Sequence, residues 1–279
     1  MAKYYIGFFI VVAILSVLVY IKIIEPDKSS NPKKQKFSAT QALSSEENEK
    51  YKKALQPIEF KFPKDHGAHN DYKLEWWYYT GNLKSNNGRE FGYQFTIFRN
   101  AITPDSVEIN SSWKSNQLYI AHFGLSDIQN KKFYSYEKLF REKEGVAGAN
   151  HNPFKVFIED WVITAEYPNS NYEMPIFNIQ VDVEDLSLDL KLEPQKQMAL
   201  HGDRGLSQKS YQKGNASYYY SFTRLASEGR IEIENEKFEV EGFSWMDREW
   251  STSALERDQA GWDWFSIQIE NGIDIMYFQ

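Results

Sequence analysis

Leu186, Leu188, Leu190 and Leu192 alternate with Ser187, Asp189 and Lys191, the period of two that a strand shows when one face is buried and the other is wet. Short runs of the same kind, broken by turn residues, continue from about residue 58 to the end of the chain. Residues 76–83 and 91–99 flank Asn86-Asn87-Gly88, and residues 267–270 and 273–275 flank Asn271-Gly272. Asn-Gly supplies the positive φ angles of a two-residue hairpin turn. Further strands are predicted at 117–126, 132–140, 155–166, 176–184, 216–225, 230–234 and 237–245. No long amphipathic helix separates them, so the pattern predicts an all-β antiparallel barrel or sandwich. A barrel of about eight strands can enclose one small ligand, and an aromatic interior would suit an apolar guest.

The first 57 residues follow other rules. Residues 4–21 run without a charge, long enough to cross most of a bilayer as a helix. A secretory signal is the competing reading, but no small-x-small cleavage site follows the bulky Val17-Leu18-Val19-Tyr20-Ile21. Residues 1–24 are therefore read as a transmembrane anchor or uncleaved signal, which makes the membrane a partner and sets the body outside the cytoplasm. The lysines after the span, from Lys22 to Lys36, argue for the opposite orientation. Residues 25–57 are polar and proline-containing and read as a tether, with a short helix expected over 44–55, Ser44 as its N-cap and Glu47 completing a capping box.

Composition narrows the function. Aromatic residues make up 16% of the 279, enough for a folded, strand-rich body rather than a disordered chain. The formal charge is −7; residues 1–36 hold six lysines against Glu25 and Asp27, a surplus of four, which leaves −11 on the rest. An acidic body without a basic stripe argues against nucleic acid. The chain has no cysteine, which removes disulfides, thiolate metal sites and a cysteine nucleophile. No P-loop, dinucleotide fingerprint or G-x-S-x-G elbow is present, and no cofactor is expected.

Five ordered blocks carry a resemblance. They are His69 through Leu83 (with Glu75-Trp76-Trp77-Tyr78-Tyr79-Thr80-Gly81), Gly92 through Arg99, Ala121-His122-Phe123, Gly242-Phe243-Ser244-Trp245-Met246-Asp247-Arg248-Glu249-Trp250, and Gly261-Trp262-Asp263-Trp264-Phe265-Ser266. Together they resemble the carotenoid 1,2-hydratase (hydroxyneurosporene synthase) family and its wider group of lipocalin-like hydrolases, over roughly residues 58–279. The resemblance implies a calycin-type architecture of two lipocalin-like β domains: residues 58–260 would form one, and 261–279 the first hairpin of an incomplete second. It also implies addition of water to a terminal isoprenoid double bond, a lipophilic small molecule being the substrate.

Such chemistry needs a neutral acid, surroundings that tolerate a carbocation, and a controlled water supply. A carboxyl group stays neutral only when burial raises its pKa. Asp247 is the candidate acid, assisted by Glu75, His69 and Glu249. On an extended backbone Trp245, Asp247 and Glu249 share one face and Met246, Arg248 and Trp250 the other, so Arg248 points away from Asp247 while Glu249 raises its pKa by repulsion. Trp76, Trp77, Tyr79, His122, Trp245, Trp250, Trp262 and Trp264 are the candidate substrate-binding residues, their rings able to stabilise a cation.

Blander readings stand beside these. Asp247, Arg248 and Glu249 could form an ion-pair cluster at the barrel rim, and Glu75 could pair internally with Arg248 or Arg99. His66 and His69 form an H-x-x-H pair, but in a loop rather than on one helix face, so no metal is expected. His151 and His201 are read as solvated. A carrier of a lipophilic ligand without chemistry, and a glycan-binding or glycan-cleaving cleft built from tryptophans and paired carboxylates, are the alternative functions.

Overall fold

The computed structural model describes residues 50–102, 115–252 and 261–279. The anchor expected over 1–24 and the tether up to residue 49 lie outside the described residues, among which no helix is long and apolar enough to cross a membrane. Of the helix expected over 44–55, residues 50–55 are described and are not helical. They lie on the barrel instead: Tyr51 and Ala54 are buried, and Lys52 N–H donates to Asp71 O at 2.9 Å.

Thirteen strands form one antiparallel sheet: β1 (Leu74–Ser85), β2 (Glu90–Ala101), β3 (Gln117–Asp127), β4 (Lys132–Arg141), β5 (Ala147–His151), β6 (Phe154–Ile158), β7 (Trp161–Glu166), β8 (Ile176–Val183), β9 (Leu186–Pro194), β10 (Ala199–Leu200), β11 (Leu206–Gln208), β12 (Ala216–Ile233) and β13 (Glu236–Ser251). Their order is β4-β3-β2-β1-β13-β12-β9-β8-β7-β6-β5, with β10 and β11 also paired to β12. The two ends nearly meet. Lys143, just past β4, bridges Ala147 at the start of β5, and Lys138 of β4 pairs with Glu159, at 2.9 Å, and Asp160 in the β6–β7 turn. The fold is thus an all-β, nearly closed barrel of lipocalin-like type. The predicted strand 155–166 is divided by that turn, 216–225 and 230–234 are one continuous strand, and β5, β10 and β11 are too short to show a period.

The interior is filled by rings. Trp77, Tyr79, Phe95, Phe123, Trp161, Phe177 and Phe222 are all buried in one cluster, in edge-to-face contacts such as Phe95–Trp161 at 6.1 Å and Phe177–Phe222 at 5.6 Å. Offset and T-shaped pairs are the favoured geometry of aromatic cores. The apolar guest expected inside the barrel is therefore replaced by the protein's own side chains.

Two local irregularities position the functional surface. Gly242 faces Leu83 across the β1–β13 ladder, where a Cβ would collide with the Asn82 carbonyl, so the strands approach too closely there for any other residue. In β12 the register with β13 shifts between Phe222 and Leu225. Such a bulge re-aims its residues, and Thr223 and Arg224 reach β14 (Trp264–Gln268) and β15 (Asp274–Phe278), which form a separate two-stranded sheet. Asp274 accepts from Thr223 at 2.8 Å and pairs with Arg224 and Lys196, each at 2.6 Å. Gln268 donates to the carbonyls of Thr223, at 2.6 Å, and Ser244, at 3.0 Å. One face of this hairpin turns to the barrel; the other exposes Phe265, Ile267, Ile275 and Tyr277.

Candidate active site on the outer face of the barrel

β13 separates two polar clusters by its pleat. Met246, Arg248 and Trp250 belong to the interior, and Trp245, Asp247 and Glu249 to the outer face, as the alternation predicts. Inside, the fully buried Glu75 carboxylate is gripped by Arg99 on β2 and Arg248 on β13. His69 N–H donates to it at 2.9 Å. Burial opposes the charge, but Arg99 and then Arg248 hold Glu75 well below the usual carboxylate range. Arg248 donates to His69 Nδ1 at 3.0 Å, leaving His69 Nε2–H to donate to Asp65 at 3.3 Å. The His69 ring lies flat on Trp250, with centroids 3.8 Å apart. Arg99 also donates to the carbonyls of His69 and Tyr72, at 3.0 and 2.8 Å. Every strong group here has a partner, so the cluster is a fastening that ties loop 61–72 across one end of the barrel. Glu75 and His69, expected as catalytic assistants, sit together in this cluster and face away from Asp247.

His66 belongs to the same plug. Its Nε2 donates to Tyr172 O at 2.8 Å and its Nδ1 accepts from Tyr220 at 2.7 Å. With both nitrogens engaged, the H-x-x-H pair has nothing to offer a metal, and among the described residues no group of three His, Asp or Glu could hold one.

On the outer face, antiparallel pairing brings distant residues into one patch. Asp247 lies opposite Tyr78 of β1 and Ser221 of β12, and Glu249 lies opposite Trp76 and Tyr219. The hairpin covers this patch, leaving a cleft of about 480 Å³. Its apolar walls are Trp76, Tyr78 and Phe98 from the barrel, and Trp262, Trp264 and Phe278 from the C-terminal segment. Trp262 stacks near Trp76, with centroids 6.3 Å apart, and Trp264 meets Tyr78 edge-on at 5.4 Å. The cleft's polar side chains among the described residues are Lys209, Tyr219, Asp247, Glu249 and Gln279. A concave, mostly aromatic hollow with a few convergent polar groups is the usual form of a small-molecule site.

Asp247 is the electrostatic centre of that hollow, being 5% exposed. Burial pushes its carboxyl up to about 7 against the hydrogen bonds from Ser221 and Trp245, and the charge of Glu249 pushes it further in the same direction. Ser221 Oγ–H and Trp245 Nε1–H, the latter at 2.6 Å, both donate to Oδ1. An oxygen accepting two hydrogen bonds is the carbonyl-like one, so the proton of the neutral acid belongs on Oδ2. Glu249 is paired instead with Lys209 at 2.6 Å and accepts from Ser217. Lys209 also sits over the rings of Tyr219 and Phe278, 4.9 and 4.7 Å from their centroids. Two neighbouring carboxylates thus have different surroundings, the arrangement by which one serves as acid and the other as base.

Of the expected binding residues, Trp76, Trp262 and Trp264 line the cleft. Trp245 is buried behind it, edge-on to Trp264 at 5.9 Å and donating to Asp247. Trp77, Tyr79 and Trp250 point into the barrel, Trp77 beneath Arg248 at 4.1 Å, and do not reach the cleft. His122 is on the outer face but lies beside Phe98 and 3.2 Å from Glu137, away from the lining. The residues that sequence reasoning missed are Lys209, Tyr78, Phe98, Tyr219, Ser221 and Phe278. Ser217-Tyr218-Tyr219-Tyr220-Ser221 does not alternate, so the face of Tyr219 and Ser221 is fixed only by the pairing of β12 with β13. His201, read as solvated, is half-buried against Tyr219 with centroids 4.0 Å apart.

A model of the AttH-like family matches residues 53–279. Among solved structures, an AttH-type protein of Nitrosomonas europaea is 34% identical with a TM-score of 0.68, over 81% of this chain and 67% of that one. Kievitone hydratase of Nectria haematococca shares the fold, with a TM-score of 0.56 at 12% identity, over 80% of this chain and 61% of the other. The chain thus spans about two thirds of the length of these proteins. The carotenoid substrate implied by the resemblance is not named for either of them. No curated protein matches the chain in sequence.

Proposed function

The chain belongs to the AttH-like family, and on that premise we propose that the cleft beneath its C-terminal hairpin is a hydratase-type active site for an apolar, unsaturated small molecule. The observation that carries this reading is the buried Asp247, its carboxyl raised to about 7, set in an aromatic hollow. A fold relative being a hydratase by name accords with it.

Asp247 gives its proton to one carbon of a double bond, and the cation that forms lies against the indoles of Trp76 and Trp262. Cation–π attraction is worth about 2 kcal/mol or more at a desolvated site. A water oxygen bonds to the other carbon and loses its proton to Glu249, whose charge Lys209 balances. The oily walls admit an isoprenoid chain. An anchor over residues 1–24 would set the cleft near a membrane, where such molecules collect.

The test is to incubate the protein with terpenoid alkenes in H₂¹⁸O and follow incorporation by mass spectrometry. Incorporation that Asp247→Asn abolishes while binding persists supports the proposal. Binding without incorporation in either protein makes the cleft a carrier site, and a co-purifying oligosaccharide in native mass spectrometry would move it to a glycan site.

A further inference from the structure

Beyond the cleft, a line of polar groups leaves Asp247 and passes through the sheet's outer layer. Ser221 Oγ donates to Asp247 Oδ1, and His201 Nε2 lies 2.6 Å from the same Ser221 oxygen. A hydroxyl that gives its hydrogen to a carboxylate must accept from its other neighbour, so His201 carries its hydrogen on Nε2. The ring is clamped for this role, with the His201 N–H donating to Tyr219 O at 3.0 Å and the imidazole leaning on the Tyr219 ring. His201 also lines a second hollow of about 480 Å³, between the 201–208 loop and Met276 and Phe278 of β15. Phe278 borders both hollows. An apolar substrate in the first would close off Asp247 from water, whereas the second stays open.

We propose that His201 and Ser221 form a proton wire that reloads Asp247 from the second hollow. The proposal rests on the reading of Asp247 as the acid. In one passage His201 Nδ1 takes a proton from water, Nε2 passes its own to Ser221 Oγ, Ser221 passes its hydroxyl proton to the carboxylate oxygen of Asp247 that faces it, and rotation of the carboxyl carries that proton to the Oδ2 side, so that an unprotonated oxygen again faces Ser221 and Trp245. His201 and Ser221 each receive one proton and give one, and only Asp247 gains. The groups facing Asp247 from the packed elements are Tyr78 on β1, Tyr219 and Ser221 on β12, and Trp245 and Glu249 on β13, with Lys209 held by Glu249. Tyr78 is itself pushed up to about 12 by burial and then by Asp247, so Ser221 is the donor that leads outward. Burial, then Lys209, holds His201 down to about 4, so it rests as the neutral donor the wire requires. His201 and Ser221 are positioning residues: they act through Asp247 and do not touch substrate.

The experiment is a photochemical pH jump from about 8 to about 6, across the Asp247 midpoint, in the full chain without substrate. Protonation of Asp247 is timed by its carboxylic C=O infrared band, identified by its loss in Asp247→Asn. His201→Gln keeps a donor toward Ser221 but cannot relay a proton, and should slow the rise of the band about tenfold or more with an unchanged equilibrium midpoint. Ser221→Ala should slow it as much. Free imidazole should restore the rate in His201→Ala and not in Ser221→Ala. Wild-type rates in His201→Gln and Ser221→Ala, or a slow His201→Ala that imidazole fails to restore, would overturn the wire and leave the acid in place. The absence of any wild-type band rising near pH 7 would instead remove the acid reading, and the wire with it.

Discussion

Replacing Asp247 by asparagine isolates the cost of holding a carboxyl in this environment. Asparagine keeps the shape and an oxygen for Ser221 and Trp245, but it does not titrate. The native carboxyl is raised from 3.8 to about 7, first by burial, so between those values the folded chain binds a proton that the unfolded chain releases. Stability from this group is complete below about pH 3.8 and is lost as pH rises through about 7. Each unit is worth about 1.4 kcal/mol, so from pH 5 to pH 8 the wild type loses about 3 kcal/mol relative to the variant. In a domain of this size that corresponds to a change of about 5–10 °C in the difference between their melting temperatures. The assay is thermal unfolding followed by circular dichroism at several pH values. The asparagine protein should gain on the wild type steadily across that window. A difference that stays constant with pH would refute the reasoning, because it would mean that Asp247 is already ionised at pH 5.

Other perturbations separate the two clusters. Glu75→Gln removes the anion between two buried arginines, and should cost about 3–5 kcal/mol in urea unfolding while leaving the Asp247 titration in place; a loss below about 1 kcal/mol would mean that the plug is not a fastening. Asp274→Asn loosens the clamp of Arg224 and Lys196, and should make the segment around residues 261–279 cleavable by protease before the barrel unfolds; equal resistance in both proteins would contradict that role. Trp262→Ala opens one wall of the cleft, and should weaken binding of the neutral probe N-phenyl-1-naphthylamine about tenfold or more, the affinity lost with one large apolar contact. Trp77→Ala, in the barrel, should instead lower stability by about 3–5 kcal/mol, and unchanged stability would contradict its place in the core.

Much of this arrangement can be read in the chain. The alternation of 245–250 assigns Asp247 and Glu249 to one face and Arg248 to the other, and Asn271-Gly272 marks the hairpin that covers the site. Alternation does not say which face is inside, because both carry tryptophans: Trp77 and Trp250 fill the barrel while Trp76 and Trp245 face out. Glu75 and Asp247 look alike in sequence, each among aromatic residues. What distinguishes them is the pairing of β1 with β2 and β13, which sets Arg99 beside one, and of β13 with β12, which sets Ser221 beside the other. The cleft itself depends on Asp274 meeting Arg224, fifty positions away in the chain, a contact made only because the bulge in β12 turns that arginine toward the hairpin. Lys209 lies in a polar stretch that resembles any solvated loop, and only its placement over Phe278 and Tyr219 makes it part of the site.

The most direct test of the account is the titration of Asp247 itself, by ¹³C NMR of carboxyl-labelled aspartate with the resonance assigned by its absence in Asp247→Asn. The account predicts a midpoint near 7, shifted upward when N-phenyl-1-naphthylamine fills the cleft, because an apolar occupant removes the remaining water. A midpoint below about 5, in the ordinary aspartate range, would contradict it.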